Sequence, residues 1–242
     1  MSCKWRLVEF INDDGALQMA LDEAIMIARE EGRVPNTLRF YTFQNPLITI
    51  GRNQSACEVR SAFVRRITGG SAVQHDPNDL TYAVIMKKPN HFKDVASGYY
   101  YISDMLIRGL NELGAPAIYS AKNYRKNNEN CYLNENPYDI EVAGRKISGN
   151  AQTSIRGIIL QHGTVILARK AKKISSLGDV LSQNLSFDLV MEKLKFGFAT
   201  ELKKQGIQLV EESITDYEWW LAKELYEKKY GQQDWNDFGT LP

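Results

Sequence analysis

The sequence predicts an α+β fold, with strands in the first two thirds of the chain and helices in the last third. Short runs of alternating or consecutive apolar residues recur up to Leu167, and such runs are typical of strands. From Ala168 onward the apolar residues recur at helical spacing. No repeat and no linker divides the chain, so we expect one domain over residues 1–242, helical from about residue 170.

Composition and charge narrow the class of protein. The 242 residues include 30 basic and 29 acidic ones, and this balance favours neither nucleic acid nor a membrane surface as a partner. No apolar run approaches the length of a membrane span, and the first ten residues lack a signal-peptide pattern. Cys3, Cys57 and Cys131 are odd in number and show no paired spacing, which favours a reducing cytoplasm. The three histidines show no metal-ligand spacing with them, so we expect no metal site.

The first half of the chain contains signals for strands, a helix and a hairpin. Asp13 and Asp14 precede the helix periodicity and serve as candidate caps. Asp22 and Glu23 fall on the other face, which we expect to be solvated, with the alternative that either faces a site at the helix start. Residues 37–43 and 47–50 flank Asn45-Pro46, so we predict that they form a hairpin. Further predicted strands cover 5–10, 80–86, 138–142, 145–152 and 157–167, and predicted helices cover 102–113, 174–181, 187–202 and 215–230.

Residues 65–76, Arg-Arg-Ile-Thr-Gly-Gly-Ser-Ala-Val-Gln-His-Asp, form the first candidate site, here called the glycine stretch. Paired glycines let backbone N–H groups converge on a ligand, and arginines beside them suit a phosphate or a carboxylate. On this stretch alone we favour an ordinary turn flanked by charge, because a single glycine pair is weak evidence for a ligand site. A strand follows this stretch, whereas dinucleotide and P-loop sites require a helix, so we exclude those two classes.

Two further residues are candidates by their position. Cys131 ends the most polar stretch of the chain, 122–130, and position alone leaves a reactive and an incidental cysteine equally open. Lys146 follows a predicted hairpin turn, where a lysine is normally solvated, but Ser148-Gly149 after it would allow a ligand to approach the backbone. His162 on an interior strand is by default a hydrogen-bonded core residue.

Several blocks together resemble one superfamily, the lipoate-protein ligases and octanoyltransferases. The blocks keep their order and spacing over nearly the whole chain. The resemblance implies a mixed β-sheet with flanking helices, the catalytic fold shared with biotin ligases. The matching blocks are residues 19–24, the glycine stretch with the strand at 80–85, Gly144-Arg-Lys-Ile-Ser-Gly-Asn-Ala-Gln152, Leu160-Gln-His-Gly-Thr164, Lys229-Tyr230 and Asp234-Trp-Asn236.

The resemblance also implies roles for individual residues. In this superfamily the glycine stretch wraps the acyl chain and any adenylate phosphate, and the lysine matching Lys146 contacts the activated acyl carbonyl. An ammonium there would stabilise the negative charge that develops during acyl transfer. The expected substrate-binding residues are Arg65, Arg66, Gly69, Gly70, Ser71, Ala72, Val73, His75, Gly149, Ala151, His162, Gly163 and Thr164.

Two chemistries share this scaffold. A cysteine-dependent octanoyltransferase takes octanoyl from acyl carrier protein without a cofactor, holds it on Cys131 as a thioester, and passes it to a lysine of a lipoyl carrier domain, such as glycine-cleavage H protein or a dehydrogenase E2. A lipoate-protein ligase instead uses ATP and Mg²⁺, often with an accessory domain or subunit.

Three features favour the transferase. Cys131 precedes Lys146 by fifteen residues, the Gln161-His162-Gly163 version resembles that of transferases, and the chain stops soon after Trp235-Asn236, leaving no room for an accessory domain. Gln18, where an asparagine is usual, departs from the pattern. A non-catalytic carrier-domain binder is a third hypothesis, and the retained Lys146 and glycine stretch argue against it. We expect a cytoplasmic enzyme without nucleic-acid or membrane partners.

Overall fold

The computed structural model describes residues 3–57, 59–120, 136–168 and 175–240. The strands in these ranges are β1 (Cys3–Leu7), β2 (Ile11–Asp13), β3 (Asn36–Phe43), β4 (Leu47–Ile50), β5 (Phe63–Arg65), β6 (Val73–His75), β7 (Leu80–Lys87), β8 (Ala117–Tyr119), β9 (Ile140–Val142), β10 (Arg145–Ile155), β11 (Ile158–Val165) and β12 (Ile207–Glu211). They form a large mixed sheet in the order β12-β1-β3-β7-β11-β10-β9-β8, with β2 also pairing with β3. A smaller sheet has the order β5-β4-β6.

Helices cover both faces of the large sheet, so the predicted α+β fold with a mixed sheet and flanking helices is confirmed. In the part of the chain that the structure describes, none of these helices is long and apolar enough to cross a membrane. They are α1 (Gly15–Glu30), α2 (Val95–Glu112), α3 (Leu177–Leu181), α4 (Phe187–Lys204), α5 (Asp216–Leu225), which continues as a π-helical turn (Tyr226–Tyr230), and α6 (Gln233–Phe238).

The central strands are buried on both faces because each is covered by a different helix layer. Every residue of β11 is buried, as are all but the last of β7 and all but the first of β3. Helices α2 and α4 pack on one face, and α1 and α5 pack on the other. The sequences of these strands are therefore nearly continuous apolar runs, because a strand covered on both faces does not need the alternating polar residues of a half-exposed sheet.

Two glycines let α2 and α4 cross closely. A Cβ on Gly197 would lie 2.3 Å from the carbonyl oxygen of Met105, and one on Gly109 would lie 2.6 Å from that of Lys193. The helix backbones therefore contact each other directly at this crossing. This close crossing fixes the position of α2, whose first turns reach the functional site.

Local signals in the sequence placed several elements correctly. The side chain of Asp14 accepts hydrogen bonds from the backbone N–H groups of Ala16 and Leu17, as expected of a cap of α1. Ala143 and Gly144 both have positive φ and form the predicted turn between β9 and β10. The capping box between Thr215 and Glu218 is present at the start of α5.

The predicted hairpin of residues 37–43 and 47–50 is wrong. Strand β4 leaves the large sheet and pairs in the smaller one, parallel to β5 and antiparallel to β6. The physical reason is that β3 is already paired on both edges, with β1 and β2 on one side and β7 on the other. The smaller sheet consequently presents the glycine stretch to the large one.

The sequence predicts helices throughout the C-terminal third, but strand β12 lies within it. This strand pairs in parallel with β1, Cys3 opposite Ile207 and Leu7 opposite Glu211, at the edge of the large sheet. Its partner lies about 200 residues away in the chain. Hydrophobic periodicity in a local window cannot register such a pairing.

Candidate functional site

A cavity of about 260 Å³ lies between the glycine stretch and the strand pair β10–β11. Its wall includes the small sheet, strands β10 and β11, the first turns of α2, the residues just before β9, and individual side chains of α1, β3 and β7. The predicted site residues that line it are Arg66, Gly69, Gly70, Ser71, Val73, His75, Lys146, Gly149, Ala151, His162, Gly163 and Thr164.

The backbone of the glycine stretch requires glycine at one position. Gly70 has φ +94°, a conformation that residues with a side chain rarely adopt. Its carbonyl oxygen would lie only 1.9 Å from a Cβ on Gly51, so Gly51 must also lack a side chain. The turn is thus held against the end of β4.

Arg66 holds this turn in shape. Its Nη2 donates to the carbonyl oxygens of Gly69 (2.7 Å) and Ser71 (2.9 Å). Its Nη1 donates to the carbonyl oxygen of Thr49 (2.9 Å), and its Nε donates to Thr68 Oγ1 (3.0 Å). The guanidinium lines the cavity, but its N–H groups are directed at the protein's own oxygens.

Arg65 and Ala72, which we expect to contact the ligand, are not among the residues that line this cavity. The guanidinium of Arg65 is buried and donates to backbone carbonyls of residues 51, 52 and 54 and of the C-terminal residues 235–237. Burial, together with the neighbouring charge of Arg52, lowers its pKa. The side chain of Arg65 therefore joins the C-terminal segment to β5 instead of facing the cavity.

The strands β10 and β11 approach closely at the cavity because Gly163 has no side chain. A Cβ there would lie 2.4 Å from Asn150 Oδ1 and 2.7 Å from the carbonyl oxygen of Gly149. Asn150 is fixed from both ends: its Oδ1 accepts from the hydroxyl of Tyr82 (2.8 Å), and its Nδ2 donates to the carbonyl oxygen of Tyr138 (3.1 Å).

Lys146 lies in the cavity wall and forms an ion pair with Asp139, at 2.7 Å from Nζ to Oδ2. Its side chain is 12% exposed and that of Asp139 is 4% exposed. Burial raises the pKa of Asp139 to about 6, while Lys146 opposes this shift. The expectation that a lysine after a hairpin turn is normally solvated does not hold here.

His162 lines the cavity and is also hydrogen-bonded, as expected of an interior histidine. Its Nδ1 lies 2.9 Å from Asp22 Oδ2, and its Nε2 lies 2.7 Å from Thr68 Oγ1. Asp22 in turn forms a buried ion pair with Arg39 at 2.9 Å. The prediction that Asp22 is solvated is therefore wrong, because it supports His162 from behind the cavity wall.

His75 is held by threonine hydroxyls. Its Nε2 lies 2.8 Å from Thr49 Oγ1, and its Nδ1 lies 3.2 Å from Thr164 Oγ1. Sequence reasoning missed several lining residues. Met19, Thr81, Asn150 and Gln152 did carry a signal, because they lie inside the blocks that resemble the superfamily. The missed lining residues are Met19, Tyr41, Phe43, Thr49, Thr81, Tyr99, Asn136, Asp139, Asn150 and Gln152.

Cys131, the predicted nucleophile, lies outside the described residues. Among those that are described, no group of three His, Cys, Asp or Glu residues has a geometry that could hold a metal ion. The described free cysteine, Cys57, is exposed and lies in the loop after β4.

Known proteins resemble the chain over nearly its full length. Octanoyltransferase LipM of Clostridioides difficile is 32% identical, covering 96% of this chain and 98% of the relative, and that of Brevibacillus brevis is 33% identical with the same coverage. A solved lipoate-protein ligase A bound with ATP matches with a TM-score of 0.81 and 27% identity over 98% of both chains. The bipartite ligase of Thermoplasma acidophilum, described together with its E2 lipoyl domain, matches with a TM-score of 0.77 and 25% identity over 98% of this chain and 96% of that one.

The family described as Lipoyl protein ligase A/B catalytic domain matches residues 14–184. This range includes the glycine stretch, Lys146 and the strand pair β10–β11, and it covers well over half of the chain. The predicted resemblance is confirmed: the chain belongs to the Lipoyl protein ligase A/B catalytic domain family.

Proposed function

We propose that this chain is an octanoyltransferase of protein lipoylation. It moves an octanoyl group from octanoyl-acyl carrier protein to a lysine of a lipoyl carrier domain, through a thioester on Cys131. The relatives at 32% and 33% identity carry the name octanoyltransferase, which agrees with the acyltransferase predicted from sequence. The E2 lipoyl domain named with the Thermoplasma ligase supports a lipoyl domain as the acceptor.

The observation that carries the proposal is the position of Lys146, paired with Asp139 in the wall of the cavity that the glycine stretch also lines. A cation fixed at a partly buried site stabilises an oxyanion better than a solvated one, because the surrounding dielectric is low. An acyl carbonyl placed at Lys146 would meet this cation as the tetrahedral intermediate forms.

The rest of the cavity suits an alkyl chain. Met19, Tyr41, Phe43 and Val73 contribute apolar surface to its wall. An octanoyl group has six methylenes and a methyl, and at about 0.8 kcal/mol for each buried carbon the gross gain from burial is roughly 6 kcal/mol. The cavity volume of about 260 Å³ lies just below the range usual for ligand pockets, about 300 to 1,000 Å³.

The reaction has two acyl-transfer steps. In the first, the Cys131 thiolate attacks the donor thioester, a new C–S bond forms, and the carrier thiolate leaves and takes up a proton. In the second, the neutral amine of the acceptor lysine attacks the Cys131 thioester, a C–N bond forms, and the amine proton passes to the departing cysteine thiolate. Lys146 donates a hydrogen bond to the oxyanion in both steps.

Chain length is compatible with this role for Cys131. It precedes Asn136, a lining residue, by five positions. Five residues span at most about 18 Å. The position of the thiol itself stays a prediction, as does a cytoplasmic location.

An ATP-dependent lipoate-protein ligase is the second candidate, because the solved neighbours are ligases and one is bound with ATP. Among the described lining residues, the permanent cations are Arg66 and Lys146. The first donates to protein oxygens and the second pairs with Asp139. A triphosphate would have to displace these partners, and Mg²⁺, which binds phosphates with one or two carboxylates, would require Asp139 to leave Lys146. These pairings support the transferase.

One experiment separates the candidates. A lipoyl carrier domain is incubated with the protein and either octanoyl-acyl carrier protein or octanoate with ATP and Mg²⁺, and intact mass spectrometry measures acylation. We expect acylation from the first donor only, a hydroxylamine-sensitive adduct on the enzyme, and loss of both in Cys131→Ala. Cys57→Ala is the matched control, because that thiol is exposed outside the cavity.

Two results would overturn the proposal. Acylation that needs ATP and is unaffected by Cys131→Ala would establish the ligase. Absence of acylation with either donor would leave the non-catalytic carrier-domain binder.

A further inference from the structure

Asp139 and Lys146 form a charged pair inside the ligand cavity, where such a pair is costly. Their side chains are 4% and 12% exposed, and their charged atoms lie 2.7 Å apart. Removing two charges from water carries a desolvation penalty, which their mutual attraction repays only when the geometry of the pair is favourable. The raised pKa of Asp139 reflects this penalty. Strongly perturbed carboxyls in a cavity are candidates for a functional role.

The backbone of Asp139 holds the carboxylate in place. Its N–H donates to the carbonyl oxygen of Asn136 (3.0 Å), and its carbonyl oxygen accepts from the N–H of Ser120 (2.9 Å). Ser120 and Asn136 are the described residues on either side of the range 121–135, which contains Cys131. Asp139 therefore contacts Ser120 and Asn136 with its backbone and the Lys146 ammonium with its side chain.

Neighbouring strands and helices supply the remaining groups around this carboxylate. Strand β10 supplies Lys146, and β9 supplies Glu141, whose charge contributes to the raised pKa of Asp139. Glu141 is itself buried and accepts a hydrogen bond from the Ser120 hydroxyl (2.7 Å). Helix α2 contributes the phenol of Tyr99 to the same cavity wall. Lys146 is thus the cation that this wall places against Asp139.

We propose that Asp139 is a positioning residue for acyl transfer, which holds the Lys146 ammonium at the reacting carbonyl. The arrangement follows the general logic of a nucleophile, an activating group and a third group that orients the activator. No proton or acyl group is transferred to Asp139. The proposal rests on the proposed octanoyl transfer.

The test compares Asp139→Asn, Asp139→Glu and the matched control Asp104→Asn, an exposed α2 carboxylate that accepts a hydrogen bond from Tyr119. Octanoyl transfer is measured between pH 5 and 8. We expect Asp139→Asn to lose about 10- to 100-fold in kcat, the scale expected for a misplaced catalytic group, with little change in KM. Asp139→Glu should recover part of the rate, and Asp104→Asn should match the parent.

The pH profile distinguishes positioning from a merely structural role. The pKa of Asp139 is about 6, so the parent should lose rate as pH falls through 6, when the carboxylate becomes neutral and no longer attracts the ammonium. The Cys131 thiolate and the neutral acceptor amine are also protonated as pH falls, so every variant should slow toward acid pH. Asp139→Asn should show this common dependence without the additional fall near pH 6. A parent-like rate and profile in Asp139→Asn would overturn the proposal, as would a loss that follows the thermal unfolding midpoint alone.

A readout without activity separates this proposal from the proposed function. Peptide mass spectrometry follows the rate at which Lys146 is reductively methylated in each variant. Release from the carboxylate should speed methylation several-fold in Asp139→Asn and leave it unchanged in Asp104→Asn. If the parent transfers no octanoyl group, the proposed function fails while this measurement still decides the positioning role. Equal methylation rates in all variants would refute the positioning role whatever the activity.

Discussion

Arg66 and Arg65 are adjacent in sequence but direct their guanidinium groups to different parts of the protein, which permits a matched test of the glycine stretch. In Arg66→Lys the positive charge remains, but an ammonium cannot reproduce the fork that reaches the carbonyl oxygens of Gly69 and Ser71 together. Arg65→Lys removes a similar fork from carbonyls of the C-terminal segment. The two variants therefore change the same chemistry at different places.

The magnitude follows from the bonds lost. Hydrogen bonds to a charged group contribute about 1.5–3 kcal/mol each, and we take one net bond as lost in Arg66→Lys, since water and the ammonium restore part of the rest. If the ordered turn is destabilised by about 1.5–3 kcal/mol, the acyl group binds roughly 10- to 100-fold more weakly. Arg65→Lys should lower the thermal midpoint by about 2–4 °C per kcal/mol lost, with little change in KM.

The assay is steady-state octanoyl transfer to a carrier domain, with thermal unfolding measured on the same samples. We expect a raised KM for the acyl donor in Arg66→Lys and a lowered thermal midpoint in Arg65→Lys. An unchanged KM in Arg66→Lys, or the same rise in KM for both variants, would refute the division of roles between these arginines.

Two glycine substitutions test close backbone approaches. Gly163→Ala places a Cβ 2.4 Å from Asn150 Oδ1, so β10 and β11 must separate at the cavity. We expect kcat to fall by at least about 10-fold, the scale of a catalytic group misplaced by about 1 Å. Parent-like kinetics in this variant would contradict the close approach. Gly197→Ala places a Cβ 2.3 Å from the carbonyl oxygen of Met105, so the α2–α4 crossing must open, and we expect a loss of about 1–3 kcal/mol in urea unfolding. Phe196→Ala, at an exposed position of the same helix, is the control and should lose much less; equal losses would mean that the crossing is not tight.

Features set by local chemistry could be read from the sequence. The cap of α1 at Asp14, the Ala143-Gly144 turn and the capping box at Thr215 each depend on residues within a few positions of one another. The glycine stretch was identifiable for the same reason, since paired glycines and the absence of a following helix are visible in a short window. The blocks around Lys146 and His162 were enough to indicate the family.

Only the tertiary structure decided which way the charged side chains point. Arg65 and Arg66 have the same chemistry and adjacent positions, yet one contacts residues 235–237 and the other contacts the turn beside it. The position of Asp22 in the helix pattern favours a solvated side chain. In the fold, β11 places His162 Nδ1 2.9 Å from Asp22 Oδ2, although the two residues are 140 positions apart in the chain.

The sequence by itself determined the family, the α+β class and most residues of the cavity, because these follow from local patterns and from spacing along the chain. The tertiary structure decided the pairing of β4 and β12, the direction of the buried Arg65 side chain away from the cavity, and the Asp139–Lys146 ion pair. The physical reason is that strand pairing and burial depend on distant parts of the chain. Burial then sets the electrostatic state of the carboxylate, which no local window of residues contains.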